Sequence, residues 1–183
     1  MPNIYTIPLN SYQLPAASHQ GGFFVVMICG DKEMMYEKVL KDYSKRALEN
    51  YEKNINTEND VTLLICSFTG VMAMIDKKMR KLFFKNVAYE NITQIVNPIK
   101  NEPYNGIDEN NQTLALYRHF RNALCHIKLE EHITADENDE IASIKFEDYW
   151  DKKLQFDCIL TIQQLAEFFK FTVDIIQKNK GIL

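Results

Sequence analysis

The stretch from Val61 to Ile75 limits the fold more than any other. It is apolar nearly all round, with Ser67, Thr69 and Gly70 as its polar or small interruptions. A helix without a polar side has to be wrapped by other protein elements or by lipid. This run falls short of the ~20 apolar residues that a bilayer crossing needs. It is therefore expected to be the central, buried helix of a bundle. With 183 residues and 46% hydrophobic content, one domain with a full core is the default.

The flanking sequence supplies the wrapping. From Asp31, a capping residue, Tyr36, Val39, Leu40, Tyr43, Ala47, Leu48 and Tyr51 recur at three and four. That pattern predicts a first helix ending near Asn54. The second helix is expected from about Glu58 to Lys85, opened by Thr57 and Asp60 or by Asn59. Its second half carries Lys77, Lys78, Arg80, Lys81 and Lys85, read as a solvated basic end. Asn86 to Asn111 reads as a long connection with one short helix near Asn91 to Val96. A last helix is expected from about Thr161 to Lys178, with Leu165, Phe168, Phe169, Val173 and Ile176 inward and Gly181 just past its end.

Two stretches read differently. Residues 1–22, with Pro2, Pro8, Pro15 and the Gly21–Gly22 pair, form an N-terminal arm, leaving 23–183 as a single domain. Phe23 to Cys29 leans to a short strand. After His126 the pattern alternates. Ile127, Leu129 and Ile133 read as one strand, Asp136 to Glu140 as an acidic turn, and Ile141, Ile144 and Phe146 as the second strand. Phe146, Tyr149 and Trp150 are expected to pack this hairpin onto the helices.

Chemistry concentrates between Gln112 and Glu130. On a helical wheel Leu116, Tyr117, Phe120, Ala123, Leu124 and Ile127 share an apolar arc. Arg118, His119, Arg121, Asn122, Cys125 and His126 share the other: two guanidinium forks, an amide and two imidazoles. Such an arc suits an anion. The segment Arg121-Asn122-Ala123-Leu124-Cys125-His126 resembles the Arg-x(4–6)-His motif of the HEPN superfamily, in which an Asn commonly follows the Arg. The wider resemblance is one of helix order, from about Asp31 to the C-terminus. It implies a mainly α fold, a HEPN-like up-and-down bundle of four to five helices with a small β-hairpin after the motif helix. It also implies a dimer with its cleft at the interface. Many members are metal-independent ribonucleases of toxin or defence systems, and the resemblance leaves room for an antitoxin or nucleotidyltransferase partner.

The residues themselves can support cleavage of RNA by its own 2′-hydroxyl. His126 is the natural acid or base, because imidazole titrates near neutrality. Arg121 can hold the phosphate with its planar fork. Asn122, one turn before His126, can orient the imidazole or bind a phosphate oxygen. Arg118, His119 and Lys128 are candidate RNA contacts. No cofactor and no metal is expected: His119, Cys125, His126 and His132 match no standard zinc spacing. Arg121 and His126 lie ~7.5 Å apart along a helix axis and ~140° around it, so one helix aims them poorly at one phosphate. Two copies facing each other across a two-fold axis would pair them, which predicts a homodimer.

Composition bounds the partners. A net charge of −4 argues against a general nucleic-acid coat protein, so RNA contact must come from a local patch. The four cysteines are far apart and form no CxxC, which fits free thiols in a cytoplasmic protein. Met1 to Gln20 holds no Lys or Arg, so no secretory n-region is seen, and no membrane association is expected.

Overall fold

A computed structural model describes residues 23–103 and 111–179, with side chains from Met35 onward except those of 129 and 130. The expected arm at 1–22 and the residue Gly181 lie outside the described residues. The chain divides into two compact units, Met1–Met34 and Met35–Leu183. The second carries everything discussed below, apart from the opening turns of the first helix.

The protein is mainly α-helical, as the resemblance implied, with a small antiparallel sheet. In order, the elements are α1 (Phe23–Lys53), α2 (Asp60–Met74), α3 (Lys77–Phe84), α4 (Tyr89–Val96), β1 (Lys100–Asn101), α5 (Gln112–Cys125), α6 (Leu129–His132), β2 (Ile133–Ala135), β3 (Ile141–Trp150), β4 (Lys153–Thr161) and α7 (Ile162–Lys178). Phe23 to Cys29 is the start of α1, not a strand.

The second predicted helix is two helices. Ile75 leaves helical geometry, and Asp76 is extended, with its Oδ1 accepting from the backbone N–H of Lys78 and of Met79 at 2.8 Å each. The carboxylate satisfies two of the N–H groups that open α3, so a restart there offsets the broken turn. The apolar rhythm runs through the break, because Met79, Phe83 and Phe84 still face the core. Lys77, Lys78, Lys81 and Lys85 are exposed, whereas Arg80 is buried.

The hairpin is a larger sheet. Strand order is β1-β4-β3-β2, all antiparallel. The stretch read as the first strand supplies α6 and then only the short β2. The strand that pairs most extensively with β3 is β4, absent from the sequence reading. Along β3 the residues Ile144, Phe146 and Asp148 face inward, and along β4 Phe156, Cys158 and Leu160 do so. Tyr149 and Trp150, expected to pack the hairpin onto the helices, are 53% and 58% exposed at the end of β3, so more than half of each side chain faces solvent.

The central element is α5 rather than α2. Thr62, Cys66 and Ala73 of α2 reach solvent, whereas every residue of α5 from Thr113 to Phe120 is buried. Phe120 lies 6.2 Å from Phe68 of α2, 4.8 Å from Phe168 of α7, 5.1 Å from Phe146 and 5.0 Å from Phe156, ring centre to ring centre. It therefore joins the helical layer to the sheet. Tyr117 stacks on Phe84 at 3.8 Å, and its hydroxyl is 3.1 Å from that of Thr172. The start of α5 is pinned by side chains. Asn111 Oδ1 accepts from Leu114 N, Asn111 Nδ2 donates to Lys85 O, Thr113 Oγ1 to Val87 O, and Asn101 Nδ2 to Gln112 O. Helix α7 opens on a capping box between Thr161 and Gln164, and its predicted inward residues are all buried.

Two measurements check this arrangement. Asp76→Ala removes the α3 cap and should lower unfolding stability by about 1 kcal/mol in urea denaturation. Burial pushes the Cys158 thiol up to about 12, and its Sγ–H donates to Val96 O at 3.0 Å. Mass-mapped alkylation of the native protein at pH 8 should therefore label the exposed Cys66 and Cys125 and spare Cys158 until the chain unfolds.

Candidate active site at the end of α5

Along the last turn and a half of α5 one side leaves the core, while Ala123 stays in it. Arg121 and Asn122 are half-buried, Cys125 and His126 exposed. His126 ends the helix: its φ and ψ are −124° and 13°, and its N–H donates to Ala123 O at 2.9 Å. The imidazole thus projects from a residue just past the helix rather than from its side. Among the described residues, neither the Arg121 guanidinium nor the His126 ring makes a hydrogen bond or ion pair.

Asn122 is held from beneath. Its Nδ2 donates to Asp148 Oδ2 at 3.0 Å. A carboxylate oxygen accepts, so the amide nitrogen faces inward and the carbonyl Oδ1 lies at the opposite corner of the group. Oδ1 accepts no hydrogen bond among the described residues. The same Asp148 oxygen lies 2.8 Å from Nδ1 of His119. The other ring nitrogen, Nε2, meets Glu102 O at 2.9 Å. A carbonyl oxygen cannot donate, so Nε2 carries a proton. On the Nδ1 side a proton lies between ring and carboxyl group. The ring also stacks flat on Phe156, with centroids 5.2 Å apart and planes 3° from parallel.

His119 is therefore 0% exposed, and Asp148 6%. The sequence wheel set His119 among solvent-facing groups. The sheet covers that side of α5, and Asp148 supplies the partner that a buried imidazole requires. In this conformation His119 offers no edge to RNA. Arg118 is also buried, at 7% exposure. Lys128 is exposed and pairs with Glu131 at 3.0 Å. Both partners are well solvated, so that pair adds little stability and leaves Lys128 available to an anion. Arg121, Asn122 and His126 thus occupy one short stretch at the open end of α5, with Lys128 two residues on.

Two of the four residues considered for zinc are held by carboxylates. His119 is bound to Asp148, and His132 Nε2 lies 3.4 Å from Glu147. Among the described residues, no three His, Cys, Asp or Glu side chains are grouped as metal ligands. No helix in the described residues is long and apolar enough to cross a membrane.

A mainly α-helical domain with a small antiparallel sheet after the helix that carries Arg121, Asn122 and His126 is the kind of fold that the resemblance implied. The model of one such family, HEPN pEK499 p136, matches residues 29–183, and the chain belongs to that family. No curated protein and no solved structure matches it.

Asp148 is the residue that sequence reasoning missed. Its place in the alternation of β3, inward at a position where Ile144 and Phe146 are apolar, was the signal: a carboxylate on a core face needs a buried donor. Asp148→Ala leaves Nδ1 of His119 and Nδ2 of Asn122 without that acceptor. It should cost about 3–5 kcal/mol of unfolding free energy, read by urea denaturation. Asp148→Asn keeps one acceptor oxygen and should cost less.

Proposed function

We propose that the protein is a metal-independent endoribonuclease of the HEPN toxin or defence type, cleaving RNA at a composite site across a homodimer interface. The single observation carrying this reading is the contrast along α5. Asn122 is clamped from below by Asp148, while Arg121 and His126 on either side of it engage no described group.

In the proposed reaction the 2′-hydroxyl of one ribose attacks the adjacent phosphorus. His126 exchanges the proton that this step moves, and Arg121 holds the non-bridging oxygens as charge builds. The bond to the 5′-oxygen of the next nucleotide breaks, giving a 2′,3′-cyclic phosphate and a 5′-hydroxyl. Asn122, with Oδ1 outward, is suited to accept a hydrogen bond from that 2′-hydroxyl before attack. This assigns it a ribose contact rather than a phosphate contact. Arg118 and Lys128 would add positive potential beneath and beside the site. His119 would act through Asp148 on the pose of Asn122 and would not touch RNA itself.

The dimer follows from aim. His126 sits past the end of α5 and Arg121 on its flank, so a second copy is needed to bring an Arg and a His to one phosphate. The family's frequent dimerisation supports this. A second reading is a non-catalytic RNA- or nucleotide-binding or interaction module. It is favoured by the burial of Arg118 and His119, which removes two of the cationic groups that the sequence placed on the surface.

Native protein in EDTA should cleave RNA to 2′,3′-cyclic ends, and Arg121→Ala and His126→Ala should each lose at least about a hundred-fold in kcat. Mixing and re-equilibrating the two dead variants should restore about a quarter of native activity, because half the dimers then hold one intact site. Persistent inactivity of the mixture would place Arg and His in one chain. Absence of cleavage by the native dimer, with RNA still bound, would select the binding module.

A further inference from the structure

We propose that Trp150 is a stacking platform for an unpaired base next to the scissile phosphate. The inference rests on the ribonuclease reading above and goes beyond it.

The position of Trp150 follows from the strand. Successive side chains of β3 alternate, and Ile144, Phe146 and Asp148 point toward the helices. Phe146 meets Phe120 of α5, and Asp148 meets Asn122 of α5. The register shift beside Asp148 leaves the extra residue, Gln155, on β4, so β3 keeps its alternation. The next residue on the inner face is Trp150, ~7 Å further along the strand. The same strand that anchors Asn122 thus carries an indole two residues beyond the anchoring carboxylate. Trp150 is 58% exposed there, so part of the indole is open to solvent.

The platform is held firmly. Trp150 pairs with Lys153 across the hairpin, and only Asp151 and Lys152 connect the two strands. Both connecting residues have positive φ, 47° and 62°. A two-residue turn with both residues left-handed matches the strand twist and fixes the ends of β3 and β4. Asp151, Lys152 and Lys153 are all exposed on this tip, which leaves it with one net positive charge beside the indole. The outward neighbour Tyr149 stands on the other face of the sheet with Lys145 and Glu147.

An indole at the edge of a phosphate site, flanked by cations, suits a nucleobase. Any unpaired base offers a π-face to it, whereas bases stacked inside a duplex do not. The polar end of α5 would grip the sugar-phosphate backbone, and the hairpin tip would hold the adjacent base splayed out.

Trp150 is the chain's one tryptophan, so its emission reports on the site directly. In the His126→Ala protein, oligouridylate should quench that emission, with occupancy followed by anisotropy of labelled RNA; an RNA duplex of equal length should leave it unchanged. In the otherwise native protein, Trp150→Ala should raise KM for oligouridylate about ten-fold and change kcat by less than about two-fold, and Trp150→Phe should stay near native. Unchanged emission at saturating RNA, or an unmoved KM in Trp150→Ala, would overturn the platform. Cleavage with a silent Trp150 would leave the ribonuclease reading standing alone. Quenching by RNA in a native protein that cleaves nothing would remove that reading and keep the stacking site.

Discussion

Everything the site needs is set by the burial of α5 against two different layers. Phe120 is the point of contact. Its ring touches Phe68 and Phe168 on the helical side and Phe146 and Phe156 on the sheet side. Edge-to-face and tilted ring pairs favour particular orientations as well as burying area. This cluster therefore fixes the rotation of α5 about its own axis. Once that rotation is fixed, so is the face on which Arg121 and Asn122 emerge. The sheet is not an appendage to the bundle. It forms the second wall of the core and carries the carboxylate that Asn122 depends on.

The polar layer beneath the surface follows from that packing. An Asp on the inner face of β3 would be costly alone. Here it receives an imidazole that is itself satisfied at its other nitrogen by Glu102 O and stacked on Phe156. Only then does the remaining capacity of Asp148 Oδ2 hold the amide of Asn122. The network is thus two deep, and its outermost member stands next to the proposed catalytic pair. Asp148 thereby orients a group at the surface from a buried position.

Much of this was legible in the residues, and the failures have definite causes. A helix packed on one side, such as α7, shows the three-and-four rhythm, and its inward residues could be named. The break at Asp76 was hidden because Ile75, Met79 and Phe83 carry the rhythm across it. Strand β4 alternates plainly at Phe156, Cys158 and Leu160, but the turn before it is Asp151-Lys152, with no glycine or asparagine to mark a hairpin. His119 was misplaced because a wheel sorts side chains by polarity and cannot see a partner. Its partners stand 29 and 17 residues away in sequence. The Arg-Asn-His spacing was visible at once; the carboxylate that orients the Asn was not.

The two ends of α5 are held very differently. Side chains of Asn111, Thr113 and Asn101 tie its beginning to the segments on either side, whereas the side-chain hydrogen bond described for its last turn is that of Asn122 to Asp148. The helix is in effect a beam clamped at its start and indexed again at Phe120, and the two fastenings have to stay in phase. One residue gained or lost between Thr113 and Phe120 would set them ~100° apart about the axis. That span is therefore closed to length variation even though it makes no contact with substrate, and lineages of this protein are expected to drift in the hairpin and at the termini before they do so there.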